Sequence, residues 1–500
     1  GVELTNVSQL RSASALHFAA TDAEGNEYTI KSAKGVLLAC GGYENNLEMQ
    51  RDFHGMDEVY TAGTPGNTGD GIGGGCDSKN ITVKIEGGTI EKAKGGDGYG
   101  SHDAGDGIHS DGELTIPDKA TIVSSIGGNG DSRNSSSNAG HGIYSGGKLT
   151  IKGDIGTAQG GKGKTTAGHG IYSKGDLNIS DNATITNATG GASTDGYAGD
   201  GIHSDGKLTI SGGTIETAQG GKGNASGGMG IRSGGTLTIS DNATIGTAKG
   251  GDGTADDGTG GTGIYSAGRL FISGGEIQNA TGGNGGSGGS GGSGIRGDSA
   301  VNILGGIIKN AEGTGGGAGI GGGANSSQAT TINISGGTIN AQGVGGGAGI
   351  GGGKNSSGAT KIDISGNALV YAHGNDGAAI GSGESSAGET TITIHDTTAE
   401  KGVKSAFAYN GAGIGSGHYA SGKTHITIRN ASVSSLESST ASTNNPGAGI
   451  GSGKRAKGNT DITIEGSTVK AVGGYGAAIG SGSEGDFYSP PTGTPNALKT

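Results

Sequence analysis

The side chains of this sequence that could do chemistry are organised around a recurrent isoleucine. The residue just after it is, in order, His109, Tyr144, Tyr172, His203, Arg232, Tyr265 and Arg296, then glycine in later copies. Rings in a row suit the apolar faces of sugars, with Arg and His left to hydrogen-bond hydroxyls. Aromatic residues and Arg are also enriched at interfaces in general. The bland reading of the same column is a surface ladder that stabilises neighbouring strands through side-chain pairs. Two residues before the isoleucine stand Asp70, Asp106, His141, His169, Asp200 and Met229. Stacked copies would bring Asp106, His141, His169 and Asp200 together as metal-ligand types. Patches of Asp alone, at Asp106 and Asp200, would suit Ca²⁺, whose ligands are oxygens. The preferred alternative is a corner position satisfied by backbone amides, which Asx residues favour.

One stretch, Gly417-His-Tyr-Ala-Ser-Gly422-Lys423-Thr424, matches a phosphate-binding loop. Such a loop needs a strand before it and a helix after it. Here Thr424 opens His-Ile-Thr-Ile, which reads as a strand, and related copies carry Ala329, Ala359, Glu389 or Asn459 in place of Lys423. The match is expected to be a variable turn. No Ser-His-Asp arrangement follows from spacing, and no catalytic residue is assigned.

These residues need a frame, and composition narrows it. Glycine supplies 120 of 500 residues, while Pro numbers 6 and aromatics make up 4%. That excess excludes an ordinary globular core, and the lack of a Gly-x-y period with Pro excludes collagen. Net charge is only −12 with 16% charged residues, so the charge half of the disorder signature is missing. Nothing is basic enough for a nucleic-acid footprint, and no apolar run is long enough to span a bilayer. Cys40 and Cys76 are too sparse for a disulfide scaffold.

Periodicity supplies what composition withholds. The phrase Gly-x-Gly-Ile-x-Ser is centred on Ile108, Ile143, Ile171, Ile202, Ile231, Ile264 and Ile295. It becomes Gly-Ala-(Gly/Ala)-Ile-Gly around Ile320, Ile350, Ile380, Ile414, Ile450 and Ile479, with a weaker first copy at Ile72. The repeat averages about 31 residues. Between anchors runs a second phrase, as in Leu208, Ile210 and Ile215, or Ile332, Ile334 and Ile339. Alternation with Thr or Asn marks short strands with one buried face. A unit of this size cannot bury its own aliphatics, but stacked units can. Residues 73–486 are therefore expected to form an all-β, right-handed parallel β-helix of about 13 coils, roughly 60 Å long at about 4.8 Å per coil. Residues 487–500 form a Pro-containing tail. The sequence reads as cut at both ends, with signal and anchor outside it.

The phrases Gly-Asp-Gly-Ile-His-Ser-Asp-Gly and Gly-Ala-Gly-Ile-Gly-Gly-Gly resemble Gly-rich parallel β-helix repeats of bacterial surface proteins, both carbohydrate-binding domains and adhesins. That resemblance implies a secreted or cell-surface protein, bacterial, non-catalytic, binding glycan or a host surface. It also implies Ca²⁺ near Asp106 and Asp200.

Residues 1–72 lack the repeat. Ala33-Lys-Gly-Val-Leu-Leu-Ala-Cys-Gly-Gly-Tyr-Glu-Asn-Asn46 and Pro65-Gly-Asn-Thr-Gly-Asp-Gly-Ile72 resemble the fumarate reductase/3-ketosteroid dehydrogenase-like FAD-binding flavoproteins. Residues 43–56 read as a helix, and the resemblance implies a small α/β fragment. It places FAD against Ala39, Cys40, Gly41 and Gly42, with Thr68, Gly69 and Asp70 in the second motif. Cys40 stands where that family usually has Thr, and the Gly-x-Gly-x-x-Gly turn that holds the pyrophosphate is absent from this stretch. The alternative function is accordingly an FAD-dependent oxidoreductase with an incomplete or interrupted redox domain.

Overall fold

The computed structural model describes strands at residues 4–12, 15–22 and 27–32, then residues 69–74, 80–180, 182–435, 447–473, 475–483 and 498–499. They form an all-β parallel solenoid of about 12 turns, one fewer than the anchor count suggests, with no helix among the described residues. The chain divides into two compact units, Gly1–Thr217 and Ala218–Thr500.

The first unit opens with a three-stranded antiparallel sheet, Leu4–Ser12, Ala15–Asp22 and Glu27–Ser32. The flavoprotein-like motif at Ala39, Cys40, Gly41, Gly42 and Thr68, and the expected helix, lie outside the described residues. From Gly69 the chain coils, and from Ile108 onward successive coils contribute strands to three parallel sheets.

The anchor sheet holds Ile108–Ser110, Ile143–Ser145, Ile171–Ser173 and Ile202–Ser204, with Ile on Ile and Ser on Ser. The second sheet stacks Leu114–Ile116, Leu149–Ile151, Leu177–Ile179 and Leu208–Ile210 in the same strict register. The third pairs Ala120–Ile126 with Asp154–Gln159 and that with Thr184–Thr189.

Alternation decides which atoms face inward. In Leu149-Thr150-Ile151 the aliphatics are fully buried and Thr150 is half-buried, as period two requires. Each buried Ile or Leu contributes about 2–3 kcal/mol of transfer free energy, as an upper bound. Stacking makes that gain available in every coil. A serine column lines the same interior: Ser145 donates to Gly112 O at 3.0 Å, Ser173 to Gly147 O at 2.9 Å and Ser204 to Gly175 O at 2.9 Å. These hydroxyls are fully buried, and each bonds a carbonyl of the preceding coil.

The first coil departs from the pattern. Val83 and Ile85 are not in a strand, because Ile81 N–H donates to the Asp111 carboxylate and Val83 N–H to Ser110 Oγ instead of to a ladder carbonyl. The second unit repeats the three-sheet coil. Its anchor strands include Ile231–Ser233, Ile264–Ser266 and Ile295–Gly297, then two-residue strands such as Ile320–Gly321 and Ile350–Gly351.

Candidate functional site

The anchor sheet of the first unit aligns His109, Tyr144, Tyr172 and His203 across four coils, paired residue by residue. Their inward neighbours, Ile108, Ile143, Ile171 and Ile202, are fully buried and fix the strands. His109 and Tyr144 stack with centroids 4.4 Å apart, and Tyr144 meets Tyr172 edge-on at 5.6 Å. His141 and His169, from the position two before the anchor, stack on each other at 5.1 Å, and both touch Tyr172. Tyr172 reaches His203 at 5.1 Å. Six rings thus form one continuous stripe. Tyr144 and His203 are buried within it, whereas His109, His141, His169 and Tyr172 stay partly exposed.

The column two residues before the anchor is a hydrogen-bond ladder. Asp70 Oδ1 accepts Asp106 N–H at 2.7 Å and Asp106 Oδ1 accepts His141 N–H at 2.5 Å. His141 Nδ1 accepts His169 N–H at 2.9 Å, and His169 Nδ1 accepts Asp200 N–H at 2.8 Å. This is the corner role in which backbone amides satisfy the side chain. Because Nδ1 accepts in both histidines, each neutral ring carries its proton on Nε2. Burial pushes the His141 pKa down, which keeps that ring in the accepting form.

The second oxygens of Asp106 and Asp200 turn to the ring column. His109 is clamped: Nδ1 lies 2.6 Å from Asp106 Oδ2 and Nε2 3.2 Å from Asp111 Oδ1, with Asp70 Oδ2 at 3.8 Å from Nδ1. Burial alone would lower its pKa, but hydrogen bonding to Asp106 and the Asp70 charge outweigh it and raise the ring to about 9. Burial, and then the Asp106 charge, push Asp70 well above the usual carboxylate range. His203 is clamped in the same way, with Nδ1 3.0 Å from Asp200 Oδ2 and Nε2 3.1 Å from Asp205 Oδ1. Tyr172 OH donates to Asp205 Oδ2 at 2.7 Å. The His203 hydrogen bond holds the Asp205 carboxyl at about 2.

In the second unit Arg232, Tyr265 and Arg296 align on their own anchor strands. Tyr265 OH donates to Asp298 Oδ2 at 2.5 Å, and Arg296 Nε bonds Asp298 Oδ1 while its guanidinium lies 5.8 Å from the Tyr265 ring centre. Burial, then Asp298, push the Tyr265 phenol to about 12.

Sequence reasoning missed Asp111, Asp205 and Asp298, three residues after their anchors. The signal was present: Gly-Asp-Gly-Ile-His-Ser-Asp-Gly occurs at 105–112 and again at 199–206. In both copies the two Asp residues of that octapeptide clamp its histidine. The phosphate-loop match is a turn followed by the strand Thr424–Arg429, and Gly417 N–H is already bonded to Ser382 Oγ. Gly69 and Asp70, from the flavoprotein-like motif, sit in the first coil, where Asp70 serves the ladder. No helix among the described residues is long and apolar enough to cross a membrane. No family model, curated protein or solved structure matches the chain.

Proposed function

We propose that this chain is a non-catalytic β-solenoid repeat protein of the bacterial surface or exterior that binds carbohydrate through the ring stripe. The supporting observation is the unbroken run of six rings across four coils, edged by Asp111, Asp205 and Lys174. Rings offer apolar contact at low entropic cost, and the carboxylates and ammonium at the rim match sugar hydroxyls. Burial of Tyr144 and His203 makes them the rigid base, and the half-exposed Tyr172 is the contact residue.

The test is glycan-array binding followed by titration of the best hit. Tyr172→Ala is expected to weaken binding by about 1–2 kcal/mol, roughly 5- to 30-fold. Binding unchanged in Tyr172→Ala and Tyr265→Ala would remove both ring columns from the function. Absence of any glycan binding would leave a passive stalk.

A further inference from the structure

The clamp around His109 differs from that around His203 in one residue, and the difference has a chemical consequence. Asp70, Asp106 and His109 each present one donor atom, all within 4.8 Å of one another, and so do His169, Asp200 and His203. Both groups occupy equivalent positions of two successive coils. The first has Asp70 where the second has His169.

We propose that Asp70, Asp106 and His109 bind a divalent transition ion of the zinc class, with Asp111 orienting the ring. The donors would be Asp70 Oδ2, Asp106 Oδ2 and His109 Nδ1. Four-coordinate zinc with bonds of about 2.0 Å spaces its donors about 3.3 Å apart. The distances from His109 Nδ1 to Asp106 Oδ2 and Asp70 Oδ2, 2.6 and 3.8 Å, bracket that spacing, so small side-chain rotations suffice. Each aspartate already gives its Oδ1 to a backbone N–H of the next coil, which fixes the carboxylate. Asp106 Oδ2 is thereby turned to the ring, and Asp70 Oδ2, which also accepts Gly74 N–H at 2.9 Å, keeps a second lone pair for the ion. His109 Nε2 faces Asp111 Oδ1 at 3.2 Å, the carboxylate–histidine pairing that sets the tautomer for ligation through Nδ1.

Gly73 leaves room beside these donors. A Cβ there would lie 2.7 Å from Asp70 Oδ2 and 2.9 Å from His109 Cβ. Ion binding leaves the ring proton on Nε2 and releases the Nδ1 proton to solvent. An imidazole among two carboxylates selects zinc-type ions over Ca²⁺, which takes oxygens.

The second group lacks this competence. His169 Nδ1 accepts Asp200 N–H, so its proton sits on Nε2, the atom 3.3 Å from His203 Nδ1. A protonated nitrogen offers no lone pair to a metal. Of these two groups among the described residues, only the first is competent.

The experiment is calorimetric titration of the full chain with Zn²⁺ alone, repeated with Ca²⁺. Expected is one zinc equivalent, no Ca²⁺ heat at the same concentrations, and unchanged zinc binding in His203→Gln. Asp70→Asn keeps the acceptor for Asp106 N–H but loses the charge, and should weaken zinc at least 10-fold with an unaltered circular dichroism spectrum. Asp111→Asn should weaken it by about 10- to 100-fold through ring orientation. The proposal is overturned by absence of zinc binding, by equal Ca²⁺ binding, or by zinc affinity that survives Asp70→Asn and His109→Gln. Binding lost only in His203→Gln overturns it as well.

Discussion

Replacing Gly168 by Ala probes the device that lets one coil lie on the next. Gly168 precedes His169, and its counterparts Gly105, Gly140 and Gly199 precede Asp106, His141 and Asp200. A Cβ at Gly168 would sit 1.8 Å from Gly140 O and 2.6 Å from Gly140 C. Ordinary carbon–oxygen contacts are about 3.3 Å or longer, so the overlap is about 1.5 Å. The obstacle is backbone of the neighbouring coil, which no rotamer change can move aside. Relief requires the coils to separate, which also stretches the 3.0 Å bond from Gly168 N–H to Gly161 O.

Overpacking of this kind costs up to about 3 kcal/mol, and the weakened hydrogen bond adds about 1 kcal/mol. The matched control is Gly112→Ala, whose Cβ would meet only Thr82 Oγ1 at 3.4 Å. That variant should stay within about 0.5 kcal/mol of the parent. Urea unfolding read by far-UV circular dichroism compares the two. Because a solenoid is coupled chiefly between neighbours, hydrogen exchange should show the loss concentrated in residues 140–143 and 168–171. There, protection should fall about 100-fold or more, the equivalent of about 3 kcal/mol. If Gly168→Ala unfolds within 0.5 kcal/mol of Gly112→Ala, the close-approach account of the glycine column is wrong.

Two further outcomes follow from the same geometry. Ser173→Ala removes a fully buried hydroxyl whose single proton is shared between Gly147 O at 2.9 Å and Asp176 O at 3.1 Å. It should cost about 1–2 kcal/mol in urea unfolding, and a neutral result would show that water replaces the serine column. His395 lies between Asp396 and Asp363, with Arg429 on the next coil, and the Asp396 hydrogen bond outweighs burial to raise its pKa. Its contribution to stability is therefore complete below the pKa of an unstructured histidine and is lost as pH rises through its own higher value. The effect is small at so exposed a site. An NMR titration placing His395 at or below the ordinary histidine value, or unmoved by Asp396→Asn, would refute this.

The fold was legible because solenoid stacking translates sequence period directly into spatial register. The spacing of Ile108, Ile143, Ile171 and Ile202 predicts their column, and the side chains one residue later must then align. The site was only half legible for a reason that also lies in the geometry. Register tells which residues share a column, but the clamp joins three columns: Asp106, His109 and Asp111 sit at three positions of one short phrase. Whether Asp106 points to a backbone amide or a ring is decided atom by atom, and it does both. The corner reading thus describes Asp106 Oδ1, while Oδ2 meets a ring that the column pattern did not assign to it. Likewise, the rings form a stacked ladder at His109 and Tyr144 and leave Tyr172 partly exposed, which register alone does not specify.

The same stacking rule also limits where a chemical stripe can exist. From Ile320 onward the residue after the anchor is glycine: Gly321, Gly351, Gly381, Gly415, Gly451 and Gly480. Their φ values run from +131° to +145°, a region that side-chain-bearing residues rarely adopt. A Cβ on Gly351 would fall 1.8 Å from Gly381 O, so even a compatible backbone would leave no space. These coils therefore have no side chain at the position after the anchor. Coils anchored from Ile108 to Ile264 carry Ser at the end of the anchor strand, that of Ile295 carries Gly297, and all have His, Tyr or Arg before it. The anchor isoleucine is common to both kinds, while the second sheet changes from Leu–Ile, as in Leu149 and Ile151, to Ile–Ile, as in Ile362 and Ile364. A side-chain stripe at the position after the anchor is therefore confined to coils anchored before Ile320.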